Sequence, residues 1–183
     1  MRKSLLTVTL VVLVAVAGCA TAQDEVGEAS MVLEGRMNAH HLVGLVPEGI
    51  RLDSYSSGRF TGGVLTGATG DWIDYLLIRP DGVRVIDVRG YAEGPDGTRV
   101  AWTMKGFFAE PGPPPLEVRL EAMLDPEFEF PDVDFPIHGA AWFQTMESEY
   151  DFLNYTVFGF TGTMNPFLGE MRITFRSLAD QDR

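Results

Sequence analysis

The stretch from Gly58 to Tyr91, GRFTGGVLTGATGDWIDYLLIRPDGVRVIDVRGY, decides the fold. It reads as three consecutive strands broken by glycine-rich and Asp-Gly turns. At its centre Pro80-Asp81-Gly82 is flanked by apolar runs, one of the stronger short-range signals for a hairpin. Gly62 and Gly63 interrupt the strand pattern of Arg59 to Thr66, which predicts a bulge or a tight barrel corner. Asp71 to Arg79 is apolar on both faces except at Asp71 and Asp74, and Val83 to Glu93 pairs back across the turn. The expectation is a β-meander closing into a barrel.

Working outward, Pro95-Asp96-Gly97 repeats the turn chemistry. Val100, Trp102 and Met104 then alternate with Arg99, Thr103 and Lys105, the pattern of a half-buried strand. Met31 to Val43 alternates in part, with Met31, Leu33, Met37, Ala39, His41 and Val43 on one face, and predicts the first strand. Val46 to Gly58 reads as a loop with at most a short strand. Beyond Pro111 to Pro115, the apolar residues at 116, 120, 123 and 124 suit a short helix with Pro115 near its start, although Leu116, Val118 and Leu120 also fit a strand. Asp125 to Pro136 reads as an acidic, aromatic loop. Ile137 to Glu147, Leu153 to Gly162, and a last strand carrying Met171, Ile173 and Phe175 complete the set, followed by a polar tail at 179–183. The fold class is all-β, an antiparallel barrel of about eight or nine strands with one short helix. A barrel is preferred to a sandwich because closure removes exposed edges.

The first eighteen residues read as a signal peptide. Arg2 and Lys3 precede an uncharged apolar run, Leu5 to Ala17, which is shorter than the ~20 residues of a membrane span. The run ends in Val16-Ala17-Gly18-Cys19, which resembles the lipobox of bacterial lipoproteins. Cys19 is the only cysteine, so lipidation of its thiol is expected and an intramolecular disulfide is not. Ala20 to Ser30 reads as a polar tether, and 31–178 as one domain held together by its core alone. The expected partner is the membrane, reached through lipidated Cys19, in the bacterial envelope and on the periplasmic side of the outer membrane. Ala20 is not the Asp that often signals retention in the inner membrane. Without Arg2 and Lys3 the 14 basic residues become 12 against 26 acidic ones, a net charge of −14. A surface of that sign repels phosphate backbones, so nucleic acid is not an expected partner. The oligomeric state is left open.

Several short elements occur in a fixed order: Gly58-Arg-Phe-Thr-Gly62, Gly70-Asp71-Trp72, Arg79-Pro-Asp-Gly-Val83, Asp87-Val-Arg89 and Asp96-Gly97, then Phe143-Gln-Thr145 and Tyr150-Asp-Phe-Leu153-Asn154. Together they resemble the bacterial and fungal domain-of-unknown-function 3237 family from about Met31 to Leu178. The resemblance implies a calycin-like antiparallel barrel with a cavity at one end and small organic substrates, without a settled activity. The family pattern places an Arg in a Phe-Arg-Thr element ahead of Phe-x-Thr. Here that region reads Phe135-Pro-Ile-His138-Gly, so any role of that Arg does not carry over.

The candidate ligand-binding residues are His41, Trp72, Asp74, Asp87, Arg89, Glu147, Tyr150 and Asn154. Asp87 and Arg89 share a strand face with Val83 and Val85. If that face points inward, Arg89 anchors a ligand carboxylate or hydroxyl with Asp87 orienting it; the competing reading is a structural salt bridge or an outward solvated pair. Asp74 stands among Trp72, Leu76 and Ile78, where burial raises a carboxyl pKa towards acid–base use; a structural hydrogen bond is the competing reading. Trp72, Trp102 and Trp142 are expected in the core. His40 and His41 are adjacent on a strand and face opposite ways, so no metal and no cofactor is expected. No catalytic residue is assigned, and no nucleophile or phosphate-loop motif occurs. Three readings stay open: a barrel binding a small, partly apolar organic ligand; an isomerase or hydratase/lyase using a carboxylate with Tyr150 or His41; and a structural lipoprotein whose barrel is filled by side chains.

Overall fold

The computed structural model describes residues 30–109 and 112–180. The signal peptide, Cys19 and the tether up to residue 29 lie outside them. Eight antiparallel strands close into a barrel in simple sequential order, β1 pairing with β8. They are β1 (Ser30–Val46), β2 (Gly49–Gly62), β3 (Thr69–Ile78), β4 (Val83–Glu93), β5 (Arg99–Ala109), β6 (Phe135–Thr145), β7 (Val157–Asn165) and β8 (Glu170–Ser177). One helix, α1 (Leu116–Leu124), lies in the connection from β5 to β6, and a short 3-10 segment, Ser148–Tyr155, joins β6 to β7.

The opening stretch supplies the end of β2, all of β3 and most of β4. The hairpin between β3 and β4 turns at Arg79–Gly82: Gly82 N–H donates to the Arg79 carbonyl at 3.0 Å, and Asp81 Oδ1 accepts from Val83 N–H at 3.1 Å. Gly82 has φ +81°, a conformation that a side chain disfavours. The β4–β5 turn repeats the device, with Gly97 N–H on the Gly94 carbonyl and Asp96 Oδ1 accepting from Thr98 N–H at 3.0 Å. The same Pro-Asp-Gly sequence thus makes the same turn twice.

Period-two alternation then sorts the strands. Inward positions include Leu52 and Phe60 of β2, Trp72, Leu76 and Ile78 of β3, Ile86 and Val88 of β4, Val100, Trp102 and Met104 of β5, and Ile173 and Phe175 of β8, all buried. At roughly 1.5–3 kcal/mol for each large side chain removed from water, this lumen core is the main stabilising term.

Three expectations are corrected. Residues 46–58 are not a loop: β2 runs the full Gly49–Gly62. The strand expected at Leu153 starts at Val157, because residues 148–155 coil into the 3-10 segment. The inward face assigned to β1 holds only at its start. Met31 and Leu33 are buried, but register irregularities between Met37 and Ala39 and between Leu42 and Gly44 turn the strand, leaving Ala39, His41 and Val43 exposed. A bulge adds a residue on one strand and reverses the facing of those that follow.

Candidate functional site

The lumen is divided. At the end where β1 begins and β8 finishes, it is filled by aromatic rings. Trp72 and Trp102 lie 5.4 Å apart between centroids, and Phe143 meets Phe158 and Phe175 edge-on at 5.3 and 5.5 Å. Leu153 of the 3-10 segment is fully buried. Asn154 locks this segment in place: its Oδ1 accepts from Thr145 N–H at 2.9 Å and its Nδ2 donates to the Thr145 carbonyl at 3.0 Å. Thr145 Oγ1 in turn donates to the Arg99 carbonyl and accepts from Glu147 N–H. The Phe-x-Thr and Tyr-x-x-Leu-Asn elements therefore close the filled end of the barrel.

The opposite end holds a cavity of about 350 Å³. Its walls are Leu52, Ser54, Leu76, Ile78, Phe108 and Phe135, and its roof is α1 with the segment around Phe128 to Pro131. The helix forms where the spacing of Leu116, Leu120 and Met123 predicts it, and these three are its partly buried apolar residues. Pro115 stands at its N-terminal boundary, where a missing N–H costs nothing.

Two arginines face this mostly apolar space. Arg84 of β4 and Arg119 of α1 are buried, at 6% and 9% exposure, and both line the cavity. The Arg84 guanidinium lies over the rings of Phe108 and Phe135, 5.2 and 5.0 Å from their centroids. Such stacking fixes the plane of the guanidinium and suits its weak hydration. Each arginine also makes a contact within the protein. The carboxylate of Glu129 is at the rim and exposed.

None of the eight candidate residues named from sequence lines this cavity. His41 is exposed. Trp72 is part of the aromatic fill, as is Trp102, whereas Trp142 faces outward and is 40% exposed; alternation on β6 puts Ala141 and Phe143 inside instead. Asp87 and Arg89 are on the outer face of β4. Arg89 Nε is 3.9 Å from Asp87 Oδ1, and Lys105 Nζ is 3.5 Å from Asp87 Oδ2, so the inward reading of this pair is corrected to an outward-facing one. Glu147 is exposed, and Asn154 is occupied with Thr145. Tyr150 borders a small depression by Val64 and Pro95, and burial of its hydroxyl raises its pKa.

Asp74 has a different role. Its Oδ1 accepts from the backbone N–H of Asp87 at 3.1 Å, where Tyr75 and Leu76 have no partner residue on β4. The side chain thus stands in for a missing rung of the ladder. Burial, more than the charges of Asp87 and Asp53, pushes its pKa up to about 7, against the lowering effects of that hydrogen bond and of Arg51.

The cavity arginines carried a signal in the sequence. The even-numbered face of β4 is Arg84, Ile86, Val88, Gly90 and Ala92, apolar but for one residue. Arg119 lies three residues from Leu116 and four from Met123, on the apolar stripe of α1. Among the described residues, no three of His, Cys, Asp and Glu come together as a metal site.

No family model matches the chain, and no curated protein does. Solved structures match its fold. A protein of unknown function from Clostridium acetobutylicum superposes with a TM-score of 0.60 at 17% identity, over 81% of this chain and 95% of that one. A conserved protein of unknown function from Rhodopseudomonas palustris gives 0.55 at 19% identity, over 81% and 94%. A beta-barrel-like protein from Acinetobacter baumannii gives 0.56 at 20% identity, over 80% and 91%. At these identities the likeness is one of fold: the chain is a closed eight-stranded barrel of a kind found in several bacteria.

Proposed function

We propose that the protein is an envelope lipoprotein of the domain-of-unknown-function 3237 type that binds a small, partly apolar organic molecule in the cavity under α1. The observation that carries this reading is the divided lumen. An eight-stranded barrel can be filled by side chains alone, and one half of this barrel is; the other half keeps about 350 Å³ enclosed by apolar walls and a helical roof. That volume is at the lower end of ligand sites. Asp74 and Asp87, the carboxylates on which an acid–base mechanism would draw, do not line it, which favours binding over turnover.

The topology supports an orientation. Ser30 opens β1 at the filled end. A chain anchored at Cys19 through a short tether presents that end to the membrane and the cavity mouth away from it. Labelled palmitate should enter the protein and should not enter a Cys19→Ser variant; incorporation into both removes the anchor at Cys19.

The binding test uses the full-length protein in lipid nanodiscs, with empty nanodiscs as the blank. Naphthaleneacetamide and decanol are neutral probes of about the right size, since ~350 Å³ at ~30 Å³ per water-sized group admits about 12 non-hydrogen atoms. Saturation-transfer NMR should show binding that Ala122→Trp, which fills the cavity from the exposed side of α1, abolishes. Binding of neither probe, or equal binding to the filled variant, removes the proposal.

A further inference from the structure

We infer that the outer rim of the filled end is a membrane-seating surface, an apolar patch that rests in the headgroup region of a zwitterionic bilayer. This surface presupposes the anchor at Cys19 proposed above and does not depend on the cavity.

The patch is assembled from neighbouring strands. Tyr91, Ala101 and Gln144 are register partners across β4, β5 and β6, and with Met146 and Tyr155 they line a shallow groove on the outside of the barrel. Trp142 of β6 pairs with Val157 of β7, and both are exposed. Leu178, just past β8, lies over Gly159 of β7. Met146 is 98% exposed and Tyr155 81%. Single apolar side chains on a surface are ordinary, whereas a run of them across adjoining strands marks a contact surface. Tyrosine and tryptophan have an apolar body and a polar tip, which suits the boundary between hydrocarbon and water.

The point where the chain enters fixes the occupant. Ser30 pairs with Arg176, two residues before Leu178, so the chain from Cys19 joins the barrel beside the patch. Residues 20–30 reach about 40 Å at most, even fully extended. An anchored barrel stays within that distance of lipid, where a contact too weak to hold a free protein suffices. Charge selects the kind of bilayer. Glu93, Glu147, Glu149 and Asp151 are exposed on the same rim, and Arg99 is engaged with Glu93 at 2.9 Å. Anionic headgroups are repelled by such a rim, and zwitterionic ones are not. The open end also exposes apolar side chains, among them Val43 and Leu45, but these stand at the end of β1 opposite Ser30.

The experiment uses the full-length protein, made in a bacterial host that lipidates and placed in phosphatidylcholine nanodiscs. A nitrobenzoxadiazole maleimide is attached at Met146→Cys or, at the opposite end, at Glu48→Cys, and doxyl-labelled lipid is the quencher. Quenching at Met146 should exceed that at Glu48 at least threefold. A label at Ser148→Cys reports the rim with the patch intact. Adding Trp142→Ser and Tyr155→Ser, both on the exposed face, should lower its quenching at least twofold, and replacing part of the lipid by phosphatidylglycerol should lower it too. Equal quenching at Met146 and Glu48, in protein whose Cys19 takes no label, overturns the seat and leaves the anchor standing. Quenching at Ser148 that the two serines leave unchanged overturns the patch, because the tether alone then holds the rim near lipid. Quenching that rises with phosphatidylglycerol overturns the zwitterionic assignment. A Met146 label whose emission shifts to the blue without quenching by lipid assigns the patch to a protein partner, such as a second copy of this chain, and overturns the membrane. Label on Cys19 of the unmodified protein removes the anchor and the seat with it.

Discussion

Asp74→Asn should make the protein more stable at alkaline pH and leave it almost unchanged in acid. The pKa of Asp74 rises from 3.8 to about 7 on folding. For an acid whose folded value is above its unfolded one, the native state holds the proton more firmly. Stability is therefore unaffected by this group below about pH 4, falls as pH rises from there to about 7, and carries the full cost above it. That difference corresponds to about 4 kcal/mol. The residue as a whole is only half-buried, so solvent relaxation and screening reduce this to about 2 kcal/mol. Asn keeps the Oδ1 that accepts from Asp87 N–H and removes the charge that faces Asp87 and Asp53. Urea unfolding of both proteins at pH 3 and pH 8.5 isolates the group, because the background titration is common to both. The expected gap is about 2 kcal/mol in favour of Asn at the higher pH and near zero at the lower. Equal stability at pH 8.5, or a less stable Asn variant there, refutes a buried, proton-retaining carboxyl.

Asn154→Ala removes both hydrogen bonds to the Thr145 backbone; since water reaches Asn154, the loss should be about 1–2 kcal/mol in urea unfolding. Gly90→Ala places a methyl 2.7 Å from Trp72 Cβ and 2.8 Å from Trp102 Cε2, an overpacking worth about 1–3 kcal/mol. Its signature is a changed near-ultraviolet circular dichroism from the tryptophan pair as well as a lower melting temperature. Arg89→Ala, at the outward pair with its 3.9 Å separation, should alter stability by less than about 0.5 kcal/mol; a larger loss by urea unfolding means that the pair is structural after all.

The parts of the fold legible in the sequence are those where one local rule operates alone. The two Pro-Asp-Gly turns and the alternation of Val100, Trp102 and Met104 are of this kind. β2 was hidden because its inward face runs Ile50, Leu52, Ser54, Ser56, Gly58, Phe60. The small residues in the middle accommodate a partner that is far off in sequence: a side chain at Gly58 would meet Trp72 Cη2 at 2.8 Å. Hydrophobicity fades there because the neighbour is large, and the segment reads as a loop. The face of β1 after Met37 was illegible for a different reason. Bulges are set by the pairing of two strands, and a pattern read along one strand carries the old register past them. The candidate site suffered the same loss. Asp87 and Arg89 attracted notice as a charged pair, whereas Arg84, a lone charge on an otherwise apolar face, is the one that turns inward.

The division of the lumen follows from where the chain spends its aromatic volume. At the filled end Trp72 and Trp102 face Gly58 and Gly90, so large and small side chains interlock across the barrel and leave no space. At the open end the inward positions on β2, β3 and β4 are Leu52, Ser54, Leu76, Ile78 and Arg84, with no tryptophan among them, and the chain departs from the meander to place α1 over the gap. Faulty packing would leave a void with apolar walls and no structure devoted to it. Here the space has a helix of its own and two buried arginines in its lining. Arg84→Leu tests how that residue is held: it keeps a contact within the protein and stacks on Phe108 and Phe135, so its loss should lower stability by about 1–3 kcal/mol in urea unfolding of the ligand-free protein. A variant of equal or greater stability would mean that the arginine adds nothing to folding, and that its place in the cavity lining has another reason.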